Sequence, residues 1–254
     1  MNTLDLSTKT VLITGGAGAI GRVVVQAMVE HGATVIVNDV MSPTEAAAVL
    51  PTHARVTYIQ ADATHATEVT ALFDQAERAA HTPNVVCCHA GMVEAHPVLD
   101  YPIDEYDKLM RLNVRSAFLV AQEAARRWKA AGTPGHLIFT SSWVQDVPWP
   151  EITPYTMSKS AMKAMMRGFA RELAPFDIRA NAIAPGIVGV GLAKRQWDSD
   201  AGYRARASKA IPLGHMQPPE SVANGFVFLC SDLADYMTGS VLLMDGGCSL
   251  YPMD

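Results

Sequence analysis

The 254-residue chain has little of what marks specialised protein classes. It contains only 4 Cys, none in a Cys-x-x-Cys pair, and adjacent Cys87 and Cys88 lie inside an apolar run. Buried reduced thiols are expected, with neither a disulfide framework nor a bound metal. No apolar run approaches the roughly 18 residues of a membrane span, and the start MNTLDLSTK has neither the basic end nor the apolar middle of a signal peptide, so a cytoplasmic location is expected. The net charge is only −5 and Lys and Arg are dispersed, which leaves no electrostatic footprint for nucleic acid or an anionic membrane and points to a small-molecule partner. Repeats, low-complexity tracts and linkers are also missing. With 49% hydrophobic residues there is ample material for a core, and residues 1–254 are expected to form one domain.

What is present begins with an alternation. An apolar strand pattern at residues 10–14 runs into a glycine turn, then a helix pattern at 22–31 and a second strand at 33–38, which is a βαβ unit. The turn, Thr14 to Gly21, reads TGGAGAIG, and Gly16, Gly18 and Gly21 satisfy the general dinucleotide spacing. Glycines there let the backbone approach a pyrophosphate, and the following helix start offers free N–H groups to it. A plain glycine turn is the alternative. Asp39, eighteen residues after Gly21, is placed to accept hydrogen bonds from adenosine ribose hydroxyls and to repel a 2′-phosphate, which predicts NAD over NADP, unless it merely opens a loop. No Lys or Arg lies within the turn, although Arg22 follows it directly.

The chemistry is expected at residues 142–159, SWVQDVPWPEITPYTMSK. Tyr155 and Lys159 are four apart and share one face of a helix, so an ammonium lies within reach of a phenol that needs positive charge to act as a base near neutral pH. Ser142 stands thirteen residues before Tyr155, just after the apolar run 136–140 that reads as a buried strand, so a strand end faces a helix start across a cleft.

This arrangement resembles the short-chain dehydrogenase/reductase family, which carries Ser and then Tyr-x-x-x-Lys about thirteen residues later. The resemblance extends over nearly the whole chain. It implies an α/β fold: a single-domain Rossmann, doubly wound parallel sheet of about seven strands with helices on both faces. It also implies a catalytic set of Asn113, Ser142, Tyr155 and Lys159, with Tyr155 as base, Ser142 steadying the reacting oxygen, Lys159 lowering the Tyr155 pKa and binding the nicotinamide ribose, and Asn113 maintaining a water relay. A satisfied buried Asn113 without that task is the alternative. For the cofactor it implies Gly15, Gly18, Ala19, Ile20 and Gly21 in the turn, Ala19 standing where the family has a glycine. Asp62 and Ala63 fall at the adenine, where Asp62 as a helix N-cap is equally open. His89, Ala90 and Gly91 fall along the cofactor wall, His89 replacing the family's usual Asn, and Pro185, Gly186 and Val188 fall at the nicotinamide. Val190 occupies a position that is usually Thr. Relatives are commonly dimers or tetramers, so a homo-oligomer, with a tetramer favoured, is expected.

Within the family, SSWVQDVPWPEITPY and the ending DGGCSLYP resemble the glucose 1-dehydrogenase branch, which implies oxidation of a sugar C1 hydroxyl to a lactone. Glu94, Gln145 and Glu151 are then candidates for holding sugar hydroxyls, and Trp143 and Trp149 for packing on a ring face. Residues 189–215 lack clean periodicity and form a candidate irregular lid, whose Lys194 and Arg195 raise the option of an acidic sugar, a solvated lid face being the alternative. Two other readings stay open: a family member acting on another alcohol or ketone, such as a hydroxysteroid, cyclic diol or 3-oxoacyl thioester, and a non-catalytic NAD-responsive binding protein.

Overall fold

A computed structural model describes residues 4–79 and 82–250. Its centre is a sheet of seven strands: β1 (Thr10–Thr14), β2 (Thr34–Asp39), β3 (Val56–Gln60), β4 (Val85–Cys88), β5 (Gly135–Thr140), β6 (Ile178–Pro185) and β7 (Val241–Met244). All pairs are parallel and the spatial order is β3-β2-β1-β4-β5-β6-β7. Strands in such a sheet are covered on both faces, which is why β4 and β5 are mostly apolar without alternation and buried throughout, His136 included.

Alternate side chains feed two cores. Leu12, Val86 and Leu137 pack with α3 (Ala66–Arg78), α5 (Ser116–Ala131) and α6 (Thr153–Leu173), while Val11, Ile13 and Ile138 pack with α1 (Gly21–Glu30) and α9 (Pro219–Cys230). The fold is therefore the expected doubly wound Rossmann sheet. The strand order reverses between β1 and β4, which opens a crevice beyond their carboxyl ends, the usual ligand position in such folds. Met162 and Met166 of α6 are core, whereas Met157 is exposed. All four cysteines are buried and free. No helix is long and apolar enough to cross a membrane among the described residues.

Three segments depart from the sequence expectations. Residues 104–131, whose sequence reads as one long helix, form α4 (Ile103–Met110), a π-turn (Arg111–Arg115) and then α5. The wide turn falls at Asn113, a residue unfavourable in a helix interior whose amide is committed elsewhere. A short helix, α2 (Pro43–Val49), was not foreseen, although Ser42 and Glu45 form a reciprocal capping box ahead of it. Residues 189–215 are mostly not irregular: they hold α7 (Gly191–Ser199) and α8 (Ala201–Ala210), the second started by Asp200, whose Oδ1 accepts the Gly202 and Tyr203 N–H groups. Dispersed cations hid the period of these helices, since only Tyr203 and Ala207 on α8 are buried. The sequence also reads as a helix over 65–81, and its end at 80–81 and the Tyr251-Pro252 part of the chain ending lie outside the described residues.

Candidate active site

The crevice is a cavity of about 520 Å³ running from the glycine turn to the lid helices. At its dinucleotide end it is lined by Gly15, Gly18, Ala19, Ile20, Asp39, Asp62 and Ala63, then by His89, Ala90, Gly91, Gly186 and Val188. Gly21 and Pro185 do not line it. Gly21 closes the turn from behind, because a Cβ there would strike the Gly15 carbonyl and the Gly16 backbone. Gly15 has φ of +67° and an added Cβ would lie 2.8 Å from Ala90 Cα, so the turn and the β4 end touch through bare backbone. Thr14 fixes that contact by accepting the His89 and Ala90 N–H groups, both at 3.1 Å. Behind Pro185 and Gly186 lies Asp245 of the Asp-Gly-Gly ending, whose Cα would be 2.7 Å from a Cβ at 186.

The Asp39 carboxylate lines the cavity and accepts the Ala17 N–H at 3.2 Å and the Val40 N–H at 2.8 Å, so it also holds the glycine turn. Arg22 does not line the cavity. At Asp62 burial pulls the carboxyl pKa up, but bonds from the Thr64 backbone and side chain and from His65 outweigh it, and the net direction is down. Asp62 is not the cap of α3, a position held by His65, but it accepts the Thr64 N–H at 2.8 Å just before that helix.

Ser142, Tyr155 and Lys159 all line the same cavity. Lys159 is only 3% exposed, and its Nζ lies 5.4 Å from the centroid of the Tyr155 ring and donates to the Thr140 carbonyl at 2.7 Å. The short turn after Ser142 is tied to α6 by three bonds: Ser141 Oγ to the Lys159 carbonyl, Ser160 Oγ to the Gln145 carbonyl, and Lys163 Nζ to Asp146. These hold the serine against the helix that carries the phenol. Burial pushes the Tyr155 phenol up to about 12, with a side-chain hydrogen bond to Ser142 pulling the other way. Burial lowers the Lys159 ammonium to about 8. The expectation that Lys159 brings the phenol down is therefore not met in this structure: desolvation of the phenol wins, and Ser142 opposes it.

Asn113 is fully buried and does not line the cavity. Its Oδ1 accepts the Met92 N–H at 2.8 Å, and its Nδ2 donates to the Met92 carbonyl at 2.9 Å and to Ser158 Oγ at 3.0 Å. Both amide protons are thus committed to protein groups, and the side chain acts as a bracket between the cavity wall and α6. Gly91 keeps the space in front of it clear, since a Cβ there would lie 3.3 Å from Asn113 Oδ1 and 3.6 Å from Lys159 Nζ. His89 sits between Thr140 Oγ1, 3.0 Å from its Nδ1, and the Phe226 ring, 5.7 Å away edge-on. Burial, and then the Lys159 charge, push the imidazole down to about 4.

At the lid end the cavity is lined by Trp143, Trp149, Ile187, Leu192, Ala193 and Tyr203, with Glu151 and Gln196 as polar members. Trp143 meets Trp149 at 5.5 Å and Trp149 meets Tyr203 at 6.3 Å, both edge-on. Four sequence candidates fall elsewhere. Glu94 and Gln145 do not line the cavity, Gln145 being turned into the protein interior. Lys194 and Arg195 are exposed on the outer side of α7, with Lys194 paired to Asp198 at 2.6 Å. Tyr203 and Gln196 were missed because their helices carried no readable period. Thr140 was missed because its contribution is a carbonyl, which no side-chain pattern announces.

A dinucleotide cradle that opens onto a buried lysine and a phenol is the arrangement of alcohol-type oxidoreductases working with nicotinamide cofactors. Comparison with known proteins agrees. A family model described as enoyl-(acyl carrier protein) reductase matches residues 15–249. The L-rhamnose 1-dehydrogenase (NAD(P)(+)) of Azotobacter vinelandii is 33% identical over 95% of this chain and 97% of its own. The 5-keto-D-gluconate 5-reductase of Escherichia coli strain K12 is 32% identical over 97% of this chain and 98% of its own. The crystal structure of a gluconate 5-dehydrogenase from Burkholderia cenocepacia in complex with NADP and tartrate superposes with a TM-score of 0.90 at 27% identity, covering 98% of both chains. The chain belongs to the short-chain dehydrogenase/reductase family.

Proposed function

We propose that this chain is an NAD-dependent sugar dehydrogenase that oxidises the C1 hydroxyl of a cyclic aldose to the lactone. The observation that carries it is the convergence of Ser142, Tyr155 and Lys159 on a cavity whose dinucleotide end presents the Asp39 carboxylate and no cationic side chain among the described residues. A 2′-phosphate placed there would meet negative charge with no Arg or Lys to pair with, which favours NAD. Sequence similarity to the rhamnose and gluconate enzymes favours a sugar.

Lys159 and the backbone near Val188 would hold the nicotinamide half, and Asp39, Asp62 and the glycine turn the adenosine and pyrophosphate. When bound, the oxidised nicotinamide supplies the hydride acceptor and a formal positive charge. Tyr155 in its phenolate form, which the Lys159 ammonium and the nicotinamide charge together would favour, removes the substrate hydroxyl proton, and Ser142 donates a hydrogen bond to the same oxygen. Asn113 acts by holding Met92 and Ser158 in place, so that the wall and the base keep their spacing. Positioned acid-base assistance of this kind contributes about 10²- to 10⁴-fold. Chains of this kind are expected to assemble as homo-oligomers, with a tetramer favoured.

The test is a screen of NADH absorbance over aldoses and secondary alcohols with NAD and NADP, run beside Tyr155→Phe. Turnover of an aldose with NAD, lost at least 10²-fold in the variant while NAD still binds, supports the proposal; a variant at the wild-type rate removes Tyr155 as the base. A second reading is favoured by the aromatic wall of Trp143, Trp149 and Tyr203, which suits a flat apolar ring such as a hydroxysteroid. The same screen separates the two.

A further inference from the structure

The charges around the substrate end of the cavity differ from what a sugar acid would need. Beyond the Ser142, Tyr155 and Lys159 group, the wall there is aromatic and aliphatic apart from Gln196, and the one charged side chain among the described lining residues at that end is Glu151. Lys194 and Arg195, the cations nearest in sequence to the lid residues Leu192, Ala193 and Gln196, do not line the cavity, and Lys194 is already neutralised by both oxygens of Asp198 at 2.6 Å. Lys159 has one ammonium proton committed to the Thr140 carbonyl and sits at the phenol, not at the far end of the substrate.

Glu151 is also held in an unusual way. Its φ is +69°, in the left-handed region, and only Asp177 shares a positive φ among the described non-glycine residues. Its carbonyl accepts the His96 N–H at 2.8 Å, which locks the turn immediately before α6. A glycine would take this conformation without strain, so a side chain at 151 is carried at a cost of about 1 kcal/mol or more. It is exposed and lines the lid end of the cavity.

We infer that Glu151 is a specificity-determining residue that makes the cavity select neutral ring alcohols over their carboxylated counterparts. This rests on the proposed alcohol oxidation and narrows its substrate. The carboxylate accepts a hydrogen bond from a hydroxyl on the substrate, a partner that a sugar carboxylate at the same place cannot supply. An anion there would instead face like charge, with no guanidinium or ammonium among the described lining residues at that end to pair it, a penalty of about tenfold or more in kcat/KM.

The experiment compares kcat/KM for D-glucose against D-glucuronate and D-galactose against D-galacturonate, pairs that differ only in a C6 carboxylate, in the wild type, Glu151→Gln and Glu151→Gly. Gln keeps size and hydrogen bonding without charge, and Gly relieves the backbone. The wild type is expected to prefer each neutral sugar by at least about tenfold, and both variants to narrow that ratio by at least about fivefold by gaining on the uronate. A wild type that prefers the uronate, or a ratio unmoved in both variants, overturns the assignment. If only a non-sugar alcohol is oxidised, the sugar reading falls and the charge assignment is read from cyclohexanol against 3-hydroxycyclohexanecarboxylate with the same variants and the same two outcomes.

Discussion

Replacing His89 by Asn should change how the protein responds to acid by a calculable amount. The imidazole is wedged between Thr140 and the Phe226 ring, and its pKa is pushed from 6.5 down to about 4, first by burial and then by the Lys159 charge. Because the folded value lies below the unfolded one, the unfolded chain binds more protons between those limits, so stability is full above about pH 6.5 and is lost as pH falls. Linkage over that window gives at most about 2 kcal/mol of lost stability between pH 7.5 and pH 5 from this group alone. An asparagine amide can meet the Thr140 hydroxyl but does not titrate, so the variant forgoes that loss. Urea denaturation of both proteins at the two pH values reads the difference directly, and His136, whose buried ring is shifted in the same direction, cancels because it is common to both. If the wild type and the His89→Asn variant lose the same stability on acidification, His89 is not held neutral and the packing argument around it fails.

Lys159→Met should abolish turnover yet stabilise the fold. Burial depresses the ammonium to about 8, so below that pH the charged lysine is carried at a cost of roughly 3 kcal/mol, against which the bond to Thr140 returns about 1 kcal/mol. A gain of about 1–2 kcal/mol in urea at pH 7 is expected, and a loss would refute the balance. Asn113→Ala removes three hydrogen bonds, one buried and two partly buried, and should cost about 2–4 kcal/mol in thermal or chemical denaturation; a cost under about 0.5 kcal/mol would show that the bracket holds nothing in place. Gly15→Ala drives a methyl into Ala90 at a positive φ and should weaken NAD binding at least about tenfold by calorimetry, with unchanged affinity contradicting the backbone contact.

The fold was legible because a parallel sheet covered on both faces writes largely apolar runs, and the strand patterns at 10–14, 33–38 and 136–140 are each a strand within a residue or so. The positions of Ser142, Tyr155 and Lys159 were legible because a helix repeats at four residues and a strand end can face it. What stayed hidden has three physical sources. The Tyr155 shift depends on desolvation, a property of the packed surroundings and not of spacing. The bonds of Asn113 stayed hidden because sequence shows an amide but not that both of its protons would be taken by Met92 and Ser158. Lys194 and Arg195 sit beside lid residues in sequence, yet a helix turns neighbours about 100° apart, so Leu192, Ala193 and Gln196 face in while the two cations face out.

Two of the four tryptophans in this chain, Trp143 and Trp149, stand edge-on to each other 5.5 Å apart on the wall where a substrate would rest. Indoles that close share their electronic transitions, so their near-ultraviolet dichroism and emission depend on mutual orientation and on what excludes solvent from them. The protein thus carries its own optical reporter, and a ligand that fills the lid end announces itself spectroscopically even when it is never turned over.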